Sequence, residues 1–187
     1  MIAIDLGAPK KQATYADYLQ TPEGGKFQLI AGEILEMTSP SLYHQEILLN
    51  IISEFRHFLN KNKIGKVFVA PLDVYFSETE VYQPDIILLL TESFSKMKEN
   101  KIEGAPDMVV EVLSPSTAYY DLKHKKSIYE KNGVREYWIV DPIDKTIEIF
   151  ILQNGKFIST DELSKNEIAK SRLIAELEVS LETIFLG

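Results

Sequence analysis

The sequence contains no cysteine and only three histidines among its 187 residues. Without thiols there can be no disulfide framework and no thiolate chemistry, a composition that fits a reducing compartment. The shortage of both ligand types also argues against a structural zinc site.

Long apolar runs and an excess of positive charge are missing as well. No stretch approaches the roughly 20 apolar residues of a membrane-spanning helix. The amino terminus lacks a basic-then-apolar secretion signal, so we expect a cytoplasmic protein without a membrane partner. The net charge of −8 argues against a broad electrostatic surface for nucleic acid, although the basic stretches at positions 96–98 and 123–126 could form a local groove.

Repeats, low-complexity tracts and linkers rich in proline, glycine or serine are absent too. The chain is 45% hydrophobic and long enough to bury one sizeable core. We therefore expect a single domain over residues 1–187, with residues 1–12 as a loose amino-terminal arm.

The first half of the chain predicts a hairpin, a helix and three strands. The hairpin pairs residues 26–30 with 33–37 across Ala31 and Gly32. Ser41 is the expected cap of a helix whose apolar residues recur every three or four positions to about Asn60. Strands are expected at residues 67–76, which Pro71 interrupts, at 83–90 and at 107–113, with a surface loop and a helical turn over 92–104.

The second half predicts a helix and further hairpins. A turn with capping side chains at residues 114–117 leads into a helix over residues 121–131, which Asn132 and Gly133 end. A strand at 136–140 is followed by a return strand at 145–152 and a hairpin turn at Asn154 and Gly155. Residues 159–172 are expected to be polar and mobile, and residues 181–186 to form a short apolar helix or strand.

The strand predicted at residues 107–113 carries one acid inside an apolar run. Side-chain alternation places Val109, Glu111 and Leu113 on one face and the remaining apolar residues on the other. A strand that is apolar on both faces is usually central, so Glu111 should be at least partly buried. Because an unpaired buried charge is costly, Glu111 requires a cation, a basic side chain or a proton.

The helix that follows offers a basic partner. Leu122 and Ile128 mark its apolar side, and Lys125 lies three positions from each of them, so it shares that side. Lys126 is the second choice. A purely structural ion pair between Glu111 and Lys125 would give the same sequence pattern.

A second acid, Asp85, follows Pro84 at the start of the preceding strand. An aspartate in this position is often only a turn residue that caps the backbone. Convergent carboxylates on neighbouring strands are, however, what metal-dependent phosphodiester hydrolysis needs, because they hold Mg²⁺ or Mn²⁺, which activates a water. A nearby lysine can orient that water or stabilise the charge that develops on the phosphate.

Several stretches of the chain form one combined pattern: Pro84–Asp85, residues 106–117 around Glu111, Asp121 with Lys125 and Tyr129, and residues 133–142. Together they resemble the Uma family, restriction-endonuclease-like proteins of the PD-(D/E)XK superfamily. Gly32–Glu33 and His44–Gln45 match the amino-terminal half, so the resemblance covers roughly residues 25–187.

The resemblance implies a restriction-endonuclease-like α/β fold whose mixed sheet has an αβββαβ core flanked by helices. The predicted amino-terminal and carboxy-terminal β-hairpins are additions to that core. The resemblance also implies Asp85 and Glu111 as ligands of Mg²⁺ or Mn²⁺. Two residues after Glu111 stands Leu113, where the standard superfamily pattern has lysine. The family moves that lysine to the following helix, where Lys125 matches it.

Two further residues are candidates for the lining of the active site. Glu33 is either a third acid beside the metal or a solvated hairpin residue. His44 either lines the cleft or is a helix-start or core histidine. Tyr129 and Trp138 are interpreted as core residues.

The leading hypothesis is a metal-dependent endonuclease that hydrolyses DNA with Asp85, Glu111 and Lys125 as catalytic residues. A homodimer is expected because two-strand cleavage suits two-fold paired sites. One alternative is a catalytically weak or inactive module on the same fold that binds nucleic acid or protein, which the displaced lysine and the acidic charge favour. The other is a hydrolase of RNA or small phosphodiesters. A basic cleft beside Asp85 and Glu111 would favour nucleic acid, and a narrow acidic pocket would favour a small substrate.

Overall fold

The structure is a computed structural model that describes residues 12–22, 26–114 and 120–186, apart from the side chains of Tyr120 and Asp121. The predicted loose arm lies outside these ranges except for Gln12. The predicted turn at residues 114–117 lies outside them except for Ser114, and the side chain of Asp121 is likewise not described.

Thirteen strands occur in the described residues. In chain order they are Phe27–Ile30 (β1), Glu33–Glu36 (β2), Gly65–Val69 (β3), Asp73–Ser77 (β4), Glu80–Tyr82 (β5), Ile86–Leu90 (β6), Lys101–Glu103 (β7), Met108–Val112 (β8), Glu136–Asp141 (β9), Thr146–Gln153 (β10), Lys156–Leu163 (β11), Ile168–Lys170 (β12) and Glu178–Ser180 (β13).

Four α-helices accompany these strands in the described residues. They are Tyr15–Tyr18 (α1), Leu42–Asn62 (α2), Lys126–Asn132 (α3) and Leu181–Ile184 (α4), with a 3₁₀ helix at Thr91–Lys96 and a π-helical turn at Tyr120–Lys125. None of the helices in the described ranges combines the length and the apolar character that crossing a membrane requires.

The central sheet contains six strands in the order β11-β10-β9-β8-β6-β3. β8 lies in its interior, antiparallel to β6 and parallel to β9. A second sheet has the order β2-β1-β5-β4-β7, and β12 pairs with β13. The chain order α2, β3, β6, β8, α3, β9 therefore gives the predicted αβββαβ core, with the β1–β2 and β10–β11 hairpins as additions.

The two faces of β8 contact different parts of the core, as its alternation predicts. Met108, Val110 and Val112 pack in one cluster with the apolar side of α2. Val109 packs in a second cluster with Tyr129 of α3 and with other aromatic residues. β8 is thus a central strand that is covered on both faces, and every residue in it is buried.

Local signals placed α2 and both hairpins correctly. The Ser41 side chain accepts a hydrogen bond from the backbone N–H of His44, at 3.1 Å, and the helix continues to Asn62. The first hairpin turns at Ala31 and Gly32, both with positive φ, as a two-residue turn requires. The second turns at Asn154 and Gly155 with the same property.

Two expectations were wrong. The strand predicted at 67–76 is two strands, because Pro71, which lacks an N–H for a ladder, separates β3 of the central sheet from β4 of the second. The helical turn expected within 92–104 is present as the 3₁₀ helix, but the expected surface loop also contains β7, which pairs in parallel with β4. Residues 159–172 include the end of β11 and all of β12.

Candidate active site

A cavity of about 900 Å³ opens beside the end of β8. Its walls come from one row of side chains on α2, the loop before α2, the β3–β4 connection and the β9–β10 turn. Asp85, Glu111, Lys125 and His44 all line this cavity, so the structure brings together four of the five predicted site residues.

The pairing of β6 with β8 places Asp85 beside Glu111. The antiparallel register aligns Ile86 with Val110. Asp85, the residue before Ile86, therefore lies next to Glu111, the residue after Val110. Oδ2 of Asp85 accepts a hydrogen bond of 2.8 Å from the backbone N–H of Val112. That bond attaches Asp85 to the strand that carries Glu111.

Glu111 is 2% exposed, and its Oε1 accepts two hydrogen bonds. Lys125 donates one from Nζ at 3.0 Å, and the hydroxyl of Tyr129 donates the other at 2.6 Å. Lys125 is also 2% exposed. The predicted burial of Glu111 and its pairing with Lys125 are therefore present, in a setting where an uncompensated charge would be expensive.

The π-helical turn determines which lysine reaches Glu111. Its i→i+5 hydrogen bonds put more residues into a turn than the 3.6 of an α-helix, and π turns are frequent at functional sites. Leu122 is 43% exposed, so its predicted place on the apolar side with Lys125 is wrong. Lys126, the second choice, lies with Nζ 3.4 Å from the centroid of the Phe150 ring, and burial lowers the pKa of this lysine.

His44 lies in the first turn of α2, where it is buried and faces the end of β8. Its Nε2 lies 3.0 Å from the Val112 carbonyl oxygen, to which it donates when it carries the proton. The same nitrogen lies 3.4 Å from Oδ2 of Asp85. His44 is thus both a helix-start residue and a cavity-lining residue in contact with Asp85.

Glu33 is the predicted residue that the structure leaves apart. It is exposed at the first position of β2, next to the hairpin turn, and pairs with Ile30. It does not line the cavity.

Tyr129, predicted as a core residue, also contacts Glu111. It does pack among aromatic residues, with its ring centroid 5.8 Å from that of Tyr82 and 5.2 Å from that of Tyr137. Its hydroxyl also reaches Glu111. The signal was available, because Lys125 and Tyr129 are four positions apart and residues at that spacing lie on one side of a helix.

The charge on Glu111 also affects the pKa of the neighbouring Tyr82. The hydroxyl of Tyr82 donates a hydrogen bond of 2.5 Å to Oε2 of Glu80. Burial is the main cause that raises the pKa of Tyr82 far above its ordinary value, followed by the bond to Glu80 and the negative charges of Glu80 and Glu111. Tyr82 therefore stays protonated beside the acids.

The residues at this end of the cavity fit a hydrated Mg²⁺ or Mn²⁺. Asp85 and Glu111 offer carboxylate oxygens, and Val112 adds a backbone carbonyl, which are the hard oxygen ligands that Mg²⁺ prefers. Within the described ranges no group of three or more histidine, cysteine, aspartate or glutamate side chains is arranged to hold a metal. Mg²⁺ commonly binds through one or two carboxylates and keeps waters as its other ligands.

Comparison with protein families gives one match over most of the chain. The Uma2 family, described as "Putative restriction endonuclease", matches residues 15–182.

Two relatives in Synechocystis sp. are similar in sequence. The uncharacterized protein sll1609 is 27% identical over 145 residues, which cover 75% of this chain and 81% of that protein. The uncharacterized protein slr1290 is 29% identical over 156 residues, 80% of each chain.

A solved structure from Anabaena variabilis is similar in fold. The crystal structure described as that of "a putative nuclease belonging to DUF820" from Anabaena variabilis superposes with a TM-score of 0.76 at 21% identity, covering 92% of this chain and 97% of the other. At this identity the likeness establishes the fold alone, and it confirms the predicted restriction-endonuclease-like architecture.

Proposed function

Because this chain belongs to the Uma2 family, described as "Putative restriction endonuclease", we propose that it is an endonuclease that hydrolyses DNA phosphodiester bonds with Mg²⁺ or Mn²⁺. The observation that carries the proposal is the convergence of Asp85, Glu111 and Lys125 at one end of one cavity. A reacting phosphate bound there would meet two carboxylates and a lysine within one small volume.

Asp85 and Glu111 are the residues that would hold the metal, on the oxygen chemistry described above. When bound, the ion supplies a water of lowered pKa and positive charge close to the scissile phosphate.

Lys125 is the proposed catalytic cation. Its Nζ lies 3.0 Å from Oε1 of Glu111, so it compensates the glutamate charge before substrate binds. In the transition state the same ammonium group offers its charge and hydrogens to the attacking water and to the phosphate oxygens, where negative charge develops.

His44 and Tyr129 are positioning residues in this proposal. His44 contacts Oδ2 of Asp85 from the side of α2, and Tyr129 holds Oε1 of Glu111 from the side of α3. Each carboxylate is thus restrained by a side chain from a different helix, which limits the orientations that it can adopt.

Plasmid cleavage with a matched lysine pair tests the proposal. Supercoiled DNA is incubated with Mg²⁺ or Mn²⁺ and the wild type, Lys125→Met or Lys126→Met. The two lysines are adjacent in the chain, but Lys125 lines the cavity and Lys126 lies over the Phe150 ring. We expect Lys125→Met to lower the rate about 100-fold or more, which corresponds to about 2.7 kcal/mol or more of transition-state stabilisation. Lys126→Met should cleave at nearly the wild-type rate.

Titration of Mn²⁺ into the wild type, Asp85→Ala and Glu111→Ala by calorimetry complements the cleavage assay. Binding to the wild type that both variants lose would support the metal site. A wild type that binds neither Mn²⁺ nor Mg²⁺ and cuts no DNA would refute the nuclease and leave Glu111 and Lys125 as a structural ion pair, on a module that binds without cleaving.

A further inference from the structure

The walls of the cavity are largely apolar beyond its catalytic end. Leu48, Leu49 and Ile52 of α2 form one wall, and Met37 and Val69 lie among the other lining residues. Its volume of about 900 Å³ falls within the range of pockets that enclose a small organic group, roughly 300–1,000 Å³. The cavity is thus neither the basic cleft nor the narrow acidic pocket that the sequence left as alternatives.

The charges in the lining do not suit a duplex. The described lining residues include three acids, Asp85, Glu111 and Asp141. They include only two lysines, Lys26 and Lys125, and Lys125 is hydrogen-bonded to Glu111. The whole chain carries a net charge of −8. Proteins that track the phosphates of a double helix need rows of lysine and arginine, because phosphate neutralisation supplies most of that affinity.

The mouth of the cavity exposes apolar surface that the described part of the chain leaves uncovered. Leu49 is 66% exposed and Ile143 is 80% exposed, and both line the cavity. The aromatic ring of Tyr43 lines it as well, with Nζ of Lys145 5.9 Å from the ring centroid. Apolar and aromatic surface beside a phosphodiester site matches the faces of nucleobases, which a duplex keeps stacked and a single strand exposes.

We propose that the site acts on DNA whose bases are unpaired, with one base held in the cavity against Leu49, Ile52 and Tyr43 while the adjoining phosphate meets Asp85 and Glu111. This inference rests on the proposed nuclease function and specifies its substrate. Thr38, Ser39 and Gln45 line the same cavity and offer neutral donors and acceptors for the edges of the base.

The first test is binding, measured without metal so that it does not depend on cleavage. Fluorescence anisotropy compares a labelled single-stranded oligonucleotide, the matched duplex and a duplex with a central unpaired bubble. We expect the single strand and the bubble to bind about tenfold or more tighter than the duplex, the order expected for burying one base on apolar and aromatic side chains. Lys26 lines the cavity and Lys145 lies close to the ring of Tyr43, so we expect these two lysines to contact flanking phosphates. Two such contacts would give a slope of log affinity against log salt of roughly −1.4.

Two substitutions of equal charge on α2 locate the binding surface. Leu49→Glu places a carboxylate in the mouth of the cavity, whereas Leu42→Glu places one on the same helix, at a residue that is 92% exposed and does not line the cavity. We expect Leu49→Glu to weaken single-strand binding about tenfold or more and Leu42→Glu to leave it within about twofold. Cleavage of the bubble with Mn²⁺ should follow the same order.

Each outcome decides between the two proposals. Tight single-strand binding that Leu49→Glu abolishes, without cleavage of any oligonucleotide, would support the unpaired-base site and refute the nuclease. Cleavage of the duplex as fast as the single strand, or equal binding by Leu49→Glu and Leu42→Glu, would overturn the unpaired-base site and leave the nuclease standing. Stronger binding of single-stranded RNA than of single-stranded DNA would support recognition of an unpaired base and would make RNA the substrate instead of DNA. Light scattering could show that Leu49→Glu turns a dimer into a monomer and that Leu42→Glu does not. The apolar surface around Leu49 would then be a contact between two copies of the chain, and the unpaired-base site would be refuted.

Discussion

Glu111 and Glu136 lie on the neighbouring parallel strands β8 and β9, and both are almost fully buried, at 2% and 0% exposure. Their surroundings differ. Oε1 of Glu111 accepts hydrogen bonds from the cation Lys125 and from Tyr129, and the residue lines the cavity. Glu136 does not line the cavity and accepts bonds from neutral donors.

Glu136 accepts hydrogen bonds from its own strand and from the carboxy-terminal part of the chain. The indole N–H of Trp138, also in β9, donates at 2.6 Å. The hydroxyl of Ser171 at 3.0 Å and the backbone N–H groups of Arg172 and Leu173 at 2.9 and 2.6 Å fasten the carboxy-terminal part to the central sheet. Burial raises the pKa of Glu136, and these hydrogen bonds oppose that rise. A buried acid therefore does not by itself mark a functional site; a cationic partner and access to a cavity are what distinguish Glu111.

The largest expected effect concerns the cation. Glu111→Leu alone should lower the free energy of unfolding by about 3–5 kcal/mol, because it leaves Lys125 as an uncompensated buried charge. Glu111→Leu combined with Lys125→Met should recover most of that loss, since two apolar side chains replace the pair. Urea unfolding followed by circular dichroism measures both. A double variant no more stable than Glu111→Leu would show that the charge of Lys125 is not what costs stability.

The matching change at the other glutamate should affect stability without touching the chemistry. Glu136→Leu leaves four donors without their acceptor, which should cost about 3 kcal/mol at the usual cost of an unsatisfied buried group. Cleavage per folded molecule, measured at low temperature with the folded fraction known, should stay at the wild-type level. A loss of cleavage as large as that in Lys125→Met would remove the contrast between the two glutamates.

Asp85→Asn should separate chemistry from folding on the cavity side. The amide oxygen of asparagine can still accept the backbone N–H of Val112, so the free energy of unfolding should change by less than about 1 kcal/mol. Cleavage should fall about 100-fold or more, because the proposed metal ligand loses its charge. Cleavage at the wild-type rate would remove Asp85 from the proposed site.

Tyr129→Phe tests the neutral donor to Glu111. The ring and its packing remain, and the lost hydrogen bond to a charged acceptor should cost about 1.5–3 kcal/mol of stability. If Tyr129 positions the carboxylate, the pH profile of cleavage should also shift, whereas a purely structural role would leave the profile unchanged.

The smallest effect is a pH dependence at Glu136. Its pKa in the folded state lies above the ordinary 4.5. At a pH between the ordinary pKa and the raised pKa, the folded state binds more protons at Glu136 than the unfolded state does. The contribution of this carboxyl to the free energy of unfolding therefore falls as the pH rises through that window. The difference in unfolding free energy between Glu136→Gln and the wild type should therefore move in favour of the variant from pH 4.5 upward. A difference that stays constant with pH would mean that the pKa of Glu136 is not raised in the folded state.

Local patterns in the sequence were sufficient for much of the fold. Ser41 and the apolar repeat defined α2, glycine and asparagine turns defined both hairpins, and alternation in β8 predicted the burial of Glu111. These features depend on neighbours in the chain, through capping, backbone conformation and side-chain period, and so they can be read from the sequence.

The prediction of Lys125 as the partner of Glu111 was confirmed, although part of the helical pattern behind it is absent from the structure. A regular helix would place Leu122 and Lys125 on one side, whereas in the π-helical turn Leu122 is exposed and Lys125 is buried. The buried Glu111 requires a compensating group whatever the helix geometry, and of the two spacings that select Lys125 only the one to Ile128, which packs against the core, is present in the structure.

Only the tertiary structure decided which residues share a cavity. The separation of β3 from β4, the burial of Glu136 against Ser171 and the approach of His44 to Asp85 all join segments that are distant in the chain. Glu33 and Glu136 show the consequence, since the first was a candidate that stays exposed and the second was an ordinary strand residue that is buried. Sequence periodicity states which side of an element is apolar. The element that covers that side is selected by the packing of the whole chain.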